Sequence, residues 1–207
     1  MIVFDSDDFG CDHVISDQCQ TRDCRKELDS LHYANPNFKA TLFAVPHQMT
    51  YELAEWCKAN NSWIEIALHG FSHSSNYECA EMTTEEFEKN IENLQPMIDD
   101  YFVKGFKAPG WQISDGVYEW LLDNDYWVAD QAYNNVRRAK LAKSMRAYVN
   151  ANGQFVAWNG SQDTDIYGGV HTHTWNCMGN GIEETYSQLE DKVKAETAFK
   201  FVSEVIQ

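Results

Sequence analysis

Three aspartates stand close together near the start of the chain, where a short apolar run ends. Ile2-Val3-Phe4 is typical of a buried strand, and Asp5, Asp7 and Asp8 follow it before Gly10. Crowded carboxylates repel one another and burial disfavours their ionised form, so such a strand end needs a positive charge nearby. A metal ion would supply it, with one carboxylate as ligand and a neighbour as proton acceptor. Taken alone, the stretch is explained equally well as a solvated acidic loop.

Two histidines follow another apolar run. His69 and His73 come directly after residues 63–68, and histidines four residues apart can bind one ion from a helical turn or a tight loop. By themselves they are better explained as surface or capping residues. Together with Asp8 they would form a face of two imidazoles and one carboxylate. That face would leave positions open for water and substrate, as catalytic zinc requires.

A lysine and a predicted turn end a further strand-like run. Lys107 could pair with one of the buried carboxylates and hold it ionised. Pro109-Gly110 would turn the backbone sharply, and Trp111 could offer a flat surface to a sugar ring. The alternative is an ordinary strand-to-loop turn with an exposed lysine and a packing tryptophan, and without other context that alternative is favoured.

Two more histidines lie in the last predicted strand. His171 and His173 are two residues apart, so both side chains should point to the same face of the sheet. At a strand end within a cleft, one of them could protonate a leaving group. A half-exposed strand with outward-facing polar residues explains the same pattern.

The segments that must position these residues alternate between apolar runs and amphipathic stretches. Such alternation is typical of βα units and of a mostly parallel sheet, either open or closed into a barrel. In these folds the active site lies at the carboxyl ends of the strands. The predicted strands after the first are residues 38–45, 63–68, 103–107, 126–129 and 168–173, and the predicted helices are residues 51–60, 83–99 and 115–124.

Four further segments complete the predicted order of elements. A short helix is expected within residues 17–34, and the basic residues 137–146 could be helical. Residues 148–158 are expected to be β-structure interrupted by a turn at Asn152-Gly153. A long helix from about Glu183 should close the chain.

Length and composition indicate one globular domain covering residues 1–207. Hydrophobic residues make up 43% of the chain and aromatic residues 14%, which favours a well-packed core. The net charge of −16 disfavours binding to nucleic-acid phosphates, so no nucleic-acid partner is expected. The chain has no apolar stretch long enough to cross a bilayer, so no membrane span is expected either.

Cysteine usage and the amino terminus bear on the compartment. The six cysteines are scattered and include no C-x-x-C pair, so free thiols in a reducing compartment are expected rather than a disulfide framework. No basic segment followed by a long apolar run precedes the first predicted strand. A cytoplasmic location is therefore expected.

Taken in order, the motifs resemble those of a known enzyme family. Asp7-Asp8, His69-x-x-x-His73, Lys107-x-Pro109-Gly110 and a late strand-end histidine are similar to the motif series of the polysaccharide deacetylases, which are also called carbohydrate esterase family 4 or the NodB-homology domain. The motifs extend over residues 4–175. The resemblance implies an α/β fold, a distorted (β/α)7 barrel, in agreement with the alternation of strands and helices.

The resemblance also implies roles for individual residues. Asp7 would be the catalytic base, and Asp8, His69 and His73 would be the metal ligands. Lys107 occupies the position at which the family usually has an arginine that braces the base. Lysine keeps the charge but lacks the planar two-point fork of arginine, so the base would be held less rigidly.

Two motifs of the family are matched less well. Asp130, at the end of the fifth predicted strand, is the only candidate for the family's fourth motif. The late histidine is either His171, which follows an apolar residue as the family's histidine does, or His173 on the same strand face.

These motifs lead to the hypothesis of metal-dependent removal of an N-acetyl group from a sugar or glycan precursor. The metal would polarise the acetyl carbonyl, Asp7 would take a proton from water, and one late histidine would protonate the amine. Zinc suits the ligand set, with cobalt, nickel or iron as alternatives. Two other functions stay open: an amidohydrolase acting on a small non-sugar amide, and a catalytically impaired carbohydrate- or metal-binding domain of the same fold.

Overall fold

The computed structural model describes residues 2–10, 24–131, 146–149, 155–157, 168–173 and 186–206. The strands are β1 (Ile2–Phe9), β2 (Ala40–Ala44), β3 (Ile64–His69), β4 (Gly105–Lys107), β5 (Trp127–Gln131), β6 (Arg146–Val149), β7 (Phe155–Ala157), β8 (Gly168–His173) and β9 (Phe199–Lys200). The helices are α1 (Arg25–Ala34), α2 (Tyr51–Ala59), α3 (Glu78–Glu81), α4 (Thr84–Tyr101), α5 (Asp115–Asp123), α6 (Tyr186–Ala195) and α7 (Val202–Val205), with short 3-10 turns at Pro46–Gln48 and Pro109–Trp111.

All nine strands of the described residues belong to one sheet. Its order is β7-β6-β5-β4-β3-β2-β1-β8, with β9 paired to the start of β1. Six neighbouring strands run parallel to one another, namely β8, β1, β2, β3, β4 and β5. Strands β6 and β7 are antiparallel to their neighbours. The parallel strands curl into a half-barrel surrounded by helices, which confirms the predicted fold class, a distorted (β/α)7 barrel.

The two faces of the sheet bury different sets of side chains. Leu42 and Ile66 pack on the same side as residues of α1, α2 and α6. Their strand neighbours Phe43 and Ala67 must point to the opposite face because strand residues alternate, and they pack there against α7. This second face is the interior of the half-barrel, and α7 fills part of it.

The carboxyl-terminal region differs from the single long helix that the sequence predicts. Helix α6 ends at Ala195, β9 then pairs with Ile2 and Val3, and α7 follows. The helix breaks because two apolar groups are buried at different places: Phe199 lies among residues that pack on the helices, and Val202 lies in the half-barrel interior. Thr41 Oγ1 accepts a hydrogen bond of 2.9 Å from the backbone of Val202, which fixes the start of α7.

The predicted β-structure at residues 148–158 is present as the antiparallel pair β6 and β7. Its predicted turn at Asn152-Gly153 lies outside the described residues, as do residues 17–23 and almost all of the basic segment 137–146. Arg146, the last residue of that segment, begins β6 instead of ending a helix.

Three cysteines fall within the described residues, Cys24, Cys57 and Cys79, and all three are buried free thiols. Burial raises the pKa of the Cys79 thiol, and the charge of Glu78 raises it further. Within the same part of the chain, no helix has the length and the apolar character needed to cross a membrane.

Candidate active site

The predicted site residues come from the carboxyl ends of neighbouring parallel strands. Strand β1 lies between β2 and β8, and β3 lies between β2 and β4. The register pairs Asp7 with His173 and His69 with Lys107. Because parallel strands all end at the same edge of a sheet, these four residues lie at one end of the half-barrel.

A backbone irregularity lets two consecutive aspartates reach this site. Successive residues of a regular strand point to opposite faces, so Asp7 and Asp8 could not both face the interior. The pairing of β1 with β2 shifts between Ser6 and Phe9, and Asp8 has a φ of 69°, a left-handed conformation that is uncommon for residues other than glycine. Asp7 and Asp8 therefore reach different partners at the same end of the barrel.

Asp8, His69 and His73 form the first group that could hold a metal ion. One potential ligand atom from each residue lies within 4.8 Å of the other two. Asp8 Oδ1 lies 3.4 Å from His69 Nε2 and 3.0 Å from His73 Nε2, and all three side chains are largely buried.

The chemistry of this group fits a divalent cation. His69 Nδ1 lies 2.9 Å from the backbone oxygen of Lys107, and a carbonyl can only accept, so Nδ1 carries the proton. In the neutral ring, Nε2 then presents its lone pair toward the oxygen of Asp8. The lone pair and the carboxylate oxygen repel each other, and a cation bound by both atoms would remove this repulsion. A backbone partner on the other ring nitrogen is also the usual arrangement for a metal-binding histidine.

Glu78, which the sequence analysis did not single out, holds the histidine loop in place. Its carboxylate accepts hydrogen bonds from the backbone N–H groups of Phe71, Ser72 and His73, at 3.0–3.2 Å. Gly70 has a φ of 59°, and a side chain added there would lie 2.4 Å from Glu78 Oε2. The loop can therefore approach Glu78 closely only with glycine at this position. No local sequence signal marks Glu78, because its partners are backbone groups.

Lys107 is fully buried and lies between two carboxylates. Its Nζ is 2.6 Å from Asp7 Oδ1 and 3.0 Å from Asp5 Oδ2. The ammonium also lies 4.6 Å from the ring centre of Phe43 and 4.1 Å from that of Trp111, close enough for cation–π attraction. The exposed lysine of an ordinary turn, favoured when the motif is considered alone, is therefore not what the structure shows.

Asp5 is a further member of the site to which the sequence analysis gave no role. It is completely buried, and its Oδ1 lies 3.2 Å from His171 Nδ1. The spacing could have indicated it, since Asp5 is two residues before Asp7 and a strand places such residues on one face.

His171 and His173 both point to the interior of the half-barrel, and their ring centres are 4.9 Å apart. His171 Nε2 lies 3.8 Å from Asp7 Oδ2. Asp7, His171 and His173 are the second group of three possible ligands among the described residues. The ammonium of Lys107, close to both Asp7 and His171, disfavours a second cation there.

The charges of the site set the protonation of its acidic groups. Burial by itself would raise the pKa of Asp7, but the charge of Lys107, followed by His171, outweighs burial and lowers that pKa below its usual value. Burial would likewise raise the pKa of Asp5, and the same two groups lower it overall. Burial would raise the pKa of Asp8 too, but the imidazoles of His69 and His73 in their protonated form outweigh burial and hold that pKa well below its usual value.

Nearby carboxylates normally raise the pKa of an imidazole, but the pKa of His173 is lowered. Burial, which disfavours the charged ring, lowers it to about 4 despite the opposing effect of Asp7. His173 is therefore neutral near pH 7.

The predicted substrate-binding residues form a 3-10 turn after β4. Gly110 and Trp111 both have positive φ, 61° and 59°, and Trp111 is 6% exposed. Its indole lies against Lys107 and 6.1 Å from the His171 ring. Pro109 lies close to Gly70 of the histidine loop. A role for this turn in binding a sugar stays a prediction, as does the assignment of Asp130, which lies in β5 opposite Ala147.

Three solved structures illustrate what the fold resembles. The Bc1960 peptidoglycan N-acetylglucosamine deacetylase has a TM-score of 0.60 and 16% identity, over 100% of this chain and 87% of that one. A family 4 acetyl xylan esterase from Clostridium thermocellum, solved with a cobalt ion, has a TM-score of 0.54 and 19% identity, over 99% and 89%. A carbohydrate esterase family 4 pseudoenzyme from Bacillus anthracis, BA3943, has a TM-score of 0.57 and 14% identity, over 100% and 65%.

These similarities are structural. No protein-family model and no curated protein sequence matches the chain. At such low identities the likeness concerns the fold, and it extends over the whole length of the chain. The structure thus has the polysaccharide deacetylase fold of carbohydrate esterase family 4, as the order of the sequence motifs predicts.

Proposed function

We propose that this protein is a metal-dependent hydrolase that removes an N-acetyl group from a sugar or glycan precursor. One observation carries the proposal: a buried group of two imidazoles and one carboxylate lies beside a second carboxylate that a buried lysine holds ionised. The first arrangement suits a catalytic metal, and the second suits a proton acceptor next to it.

Asp8, His69 and His73 would hold the metal. When bound, the ion would polarise the acetyl carbonyl and lower the pKa of a water molecule. Two nitrogens and one oxygen suit zinc, and cobalt, nickel and iron(II) accept the same ligands. The cobalt ion in the Clostridium thermocellum esterase supports the inclusion of cobalt among them.

Asp7 would act as the base. Its carboxylate follows Asp8 directly, and Lys107 at 2.6 Å keeps it ionised although it is buried. An ionised carboxylate can take the proton of the attacking water at near-neutral pH. Lys107 would hold the base by charge, without the two-point contact that arginine makes.

His171 would protonate the departing amine. Its Nε2 lies 3.8 Å from Asp7 Oδ2, so Nε2 would receive the proton that Asp7 takes from water and pass it to the amine, while Nδ1 faces the carboxylate of Asp5. His173, with its pKa lowered to about 4, carries no proton to give near pH 7. His173 would therefore contact substrate or pack against His171.

Two other functions use the same geometry. A small non-sugar amide would fit the same chemistry, since the site acts on the amide and not on the ring. A binding domain without turnover is the second alternative, and it is favoured by the similar fold of the BA3943 pseudoenzyme. Against it stands the geometry, since Asp8, His69 and His73 converge on one point and Asp7 lies close to both Lys107 and His171.

A screen for released acetate would test the proposal. The protein, supplemented in turn with zinc, cobalt, nickel and iron(II), would be incubated with N-acetylated sugars, nucleotide sugars, chitooligosaccharides and small acetylated amines. Release from a sugar, abolished by a chelator and by Asp7→Asn, is the expected result. Release from the small amines alone would favour the amidohydrolase. Metal binding without release from any compound would favour the binding domain.

A further inference from the structure

Asp5 is a buried carboxylate that neither the metal group nor the base requires. It belongs to neither group of possible metal ligands among the described residues, and Asp7 already has Lys107 as its partner. A buried ion pair is also weak evidence for stability, because desolvating the charges costs about as much as their attraction returns. The contacts of Asp5 point to a different role.

We infer that Asp5 is a positioning residue, which fixes His171 with its proton on Nδ1 and holds the Lys107 ammonium against Asp7. This inference rests on the proposed function for its catalytic consequence, since a proton donor is needed only if a leaving group departs. Its structural content stands on the contacts of Asp5 alone.

The first step concerns the proton on the His171 ring. Asp5 Oδ1 lies 3.2 Å from Nδ1, and an ionised carboxylate can only accept. Lys107 Nζ lies 3.5 Å from the same nitrogen and could donate to a lone pair there. That arrangement would leave the lone pair facing Asp5 Oδ1 at the shorter distance, which is repulsive. Nδ1 therefore carries the proton, and Nε2 is directed at Asp7.

The second step concerns Lys107. An ammonium is a compact charge on a flexible stem, so a single carboxylate does not fix its position. Asp5 and Asp7 bind it from two sides, at 3.0 and 2.6 Å, and the ring of Trp111 lies 4.1 Å away. Asp5 thus gives the ammonium a second anchor, which fixes its position against Asp7. One residue in β1 then orients both the partner of the base and the proton donor.

The register of the sheet explains why Asp5 can do this. Asp5 is paired with His171 in the same way that Asp7 is paired with His173. Both aspartates face the interior because they are two residues apart in β1. Asp5 lies one layer deeper, is fully buried, and touches the site residues from below.

The protonation of His171 can be measured directly by nuclear magnetic resonance on the zinc-loaded protein with ¹⁵N-labelled histidine. Long-range ¹H–¹⁵N spectra show which ring nitrogens carry a proton, and a His171→Gln variant assigns the signals. We expect the wild-type His171 to carry a proton on Nδ1. A wild-type ring protonated on Nε2 alone would overturn the inference without any variant of Asp5.

Asp5→Asn tests the cause. The amide has both donors and an acceptor, so the Nδ1 proton should no longer be fixed and both neutral tautomers should appear. Glu65→Gln is the matched control: Glu65 is another buried carboxylate, but it binds Thr41 and Ser203 and does not touch His171. The control should keep the wild-type spectrum. An Asp5→Asn spectrum identical to the wild type would also overturn the inference.

The two hypotheses fail separately. If Asp5→Asn changes the tautomer but the wild type releases no acetate from any substrate, the proposed function is wrong and the positioning role holds. If the wild type releases acetate, Asp5→Asn should lose amide hydrolysis at least about 10-fold more than hydrolysis of an activated aryl acetate, which needs little help from a proton donor. Equal loss on both substrates would show that Asp5 does not act through His171.

Discussion

His69 donates a hydrogen bond from Nδ1 to the backbone oxygen of Lys107 (2.9 Å), and the side chain of the same lysine binds Asp7 at 2.6 Å. Lys107 therefore contacts the proposed metal-binding group through its backbone and the proposed base through its side chain. A substitution of the Lys107 side chain removes only the second contact, so the two halves of the site can be tested independently.

The first prediction concerns the metal ligands. His69→Ala and His73→Ala should each lower the affinity for zinc by more than about 100-fold, beyond the effect of losing a group that merely supports a ligand. His47→Ala, a change at an exposed histidine outside the site, is the control. Metal content after dialysis and calorimetric titration would measure the effect. Wild-type affinity in both site variants would mean that the metal group has been wrongly assigned.

The second prediction separates the base from the ligands. Asp7→Asn should reduce turnover by about 10²–10⁴, the usual scale for a positioned general base, and should keep the metal. The reason is that Asp8, His69 and His73 form the group proposed to hold the ion, whereas Asp7 is bound to Lys107. Steady-state kinetics and metal analysis on the same sample would check it. Loss of the metal would show that Asp7 and Asp8 have exchanged roles.

The third prediction concerns Glu78, which binds the backbone of the histidine loop. Glu78→Gln replaces one acceptor oxygen with a donor, so at least one of the three backbone hydrogen bonds should break. We expect zinc affinity to fall by about 10-fold, the lower end for supporting groups around a metal. Glu85→Gln, an exposed change at the start of α4, should leave affinity unchanged. Equal zinc affinity in the wild type, Glu78→Gln and Glu85→Gln would mean that Glu78 does not support the metal-binding loop.

Most of the strand framework could be predicted from the sequence because it depends on local patterns. The apolar runs before His69 and before Lys107 predict strands without any knowledge of tertiary contacts, and turn or polar residues end them. The two histidines of β8 could be placed on one face by the period of two alone. In each case the sequence pattern that predicts the structure lies within a few neighbouring positions.

Other features depend on contacts that are distant in sequence. Glu78 acts through backbone groups, and Asp5 has meaning only once Lys107 and His171 lie beside it. The left-handed conformation of Asp8 has no sequence signature, although without it Asp7 and Asp8 would face opposite sides of the sheet. The end of α6 was missed because it is set by the burial of α7 in the half-barrel interior.

The fourth prediction concerns pH. Lys107 lowers the pKa of Asp7, so Asp7 stays ionised at pH values at which an isolated buried carboxyl would be protonated. Lys107→Met removes that charge, and the pKa of Asp7 should rise. Because only the ionised form accepts a proton, the acid limb of the kcat/KM profile should move to higher pH. An unchanged limb would mean that Lys107 does not control the base.

The same variant should be less stable, since removing one partner of a buried charge cluster costs about 3–5 kcal/mol. Lys104→Met is the control, because Lys104 is exposed and its ammonium contacts the backbone oxygen of Asn124 and the ring of Tyr126 but no carboxylate among the described contacts. Thermal unfolding at a pH above the shifted limb would measure the loss. Only the Lys107 variant should show it.

The last prediction decides between the two late histidines. His171→Ala should reduce hydrolysis of an amide far more than hydrolysis of an activated aryl acetate, because a poor leaving group needs a proton and a good one does not. His173→Ala should lower both rates by similar factors, since burial lowers the pKa of His173 to about 4 and leaves it without a proton to donate. Both substrates would be measured with each zinc-loaded variant, and the comparison is the ratio of the two rates, which cancels any loss of folded protein. If the selective loss appears in His173→Ala and not in His171→Ala, then His173 is the donor. The contact between His171 and Asp5 would then serve only to hold the barrel interior together.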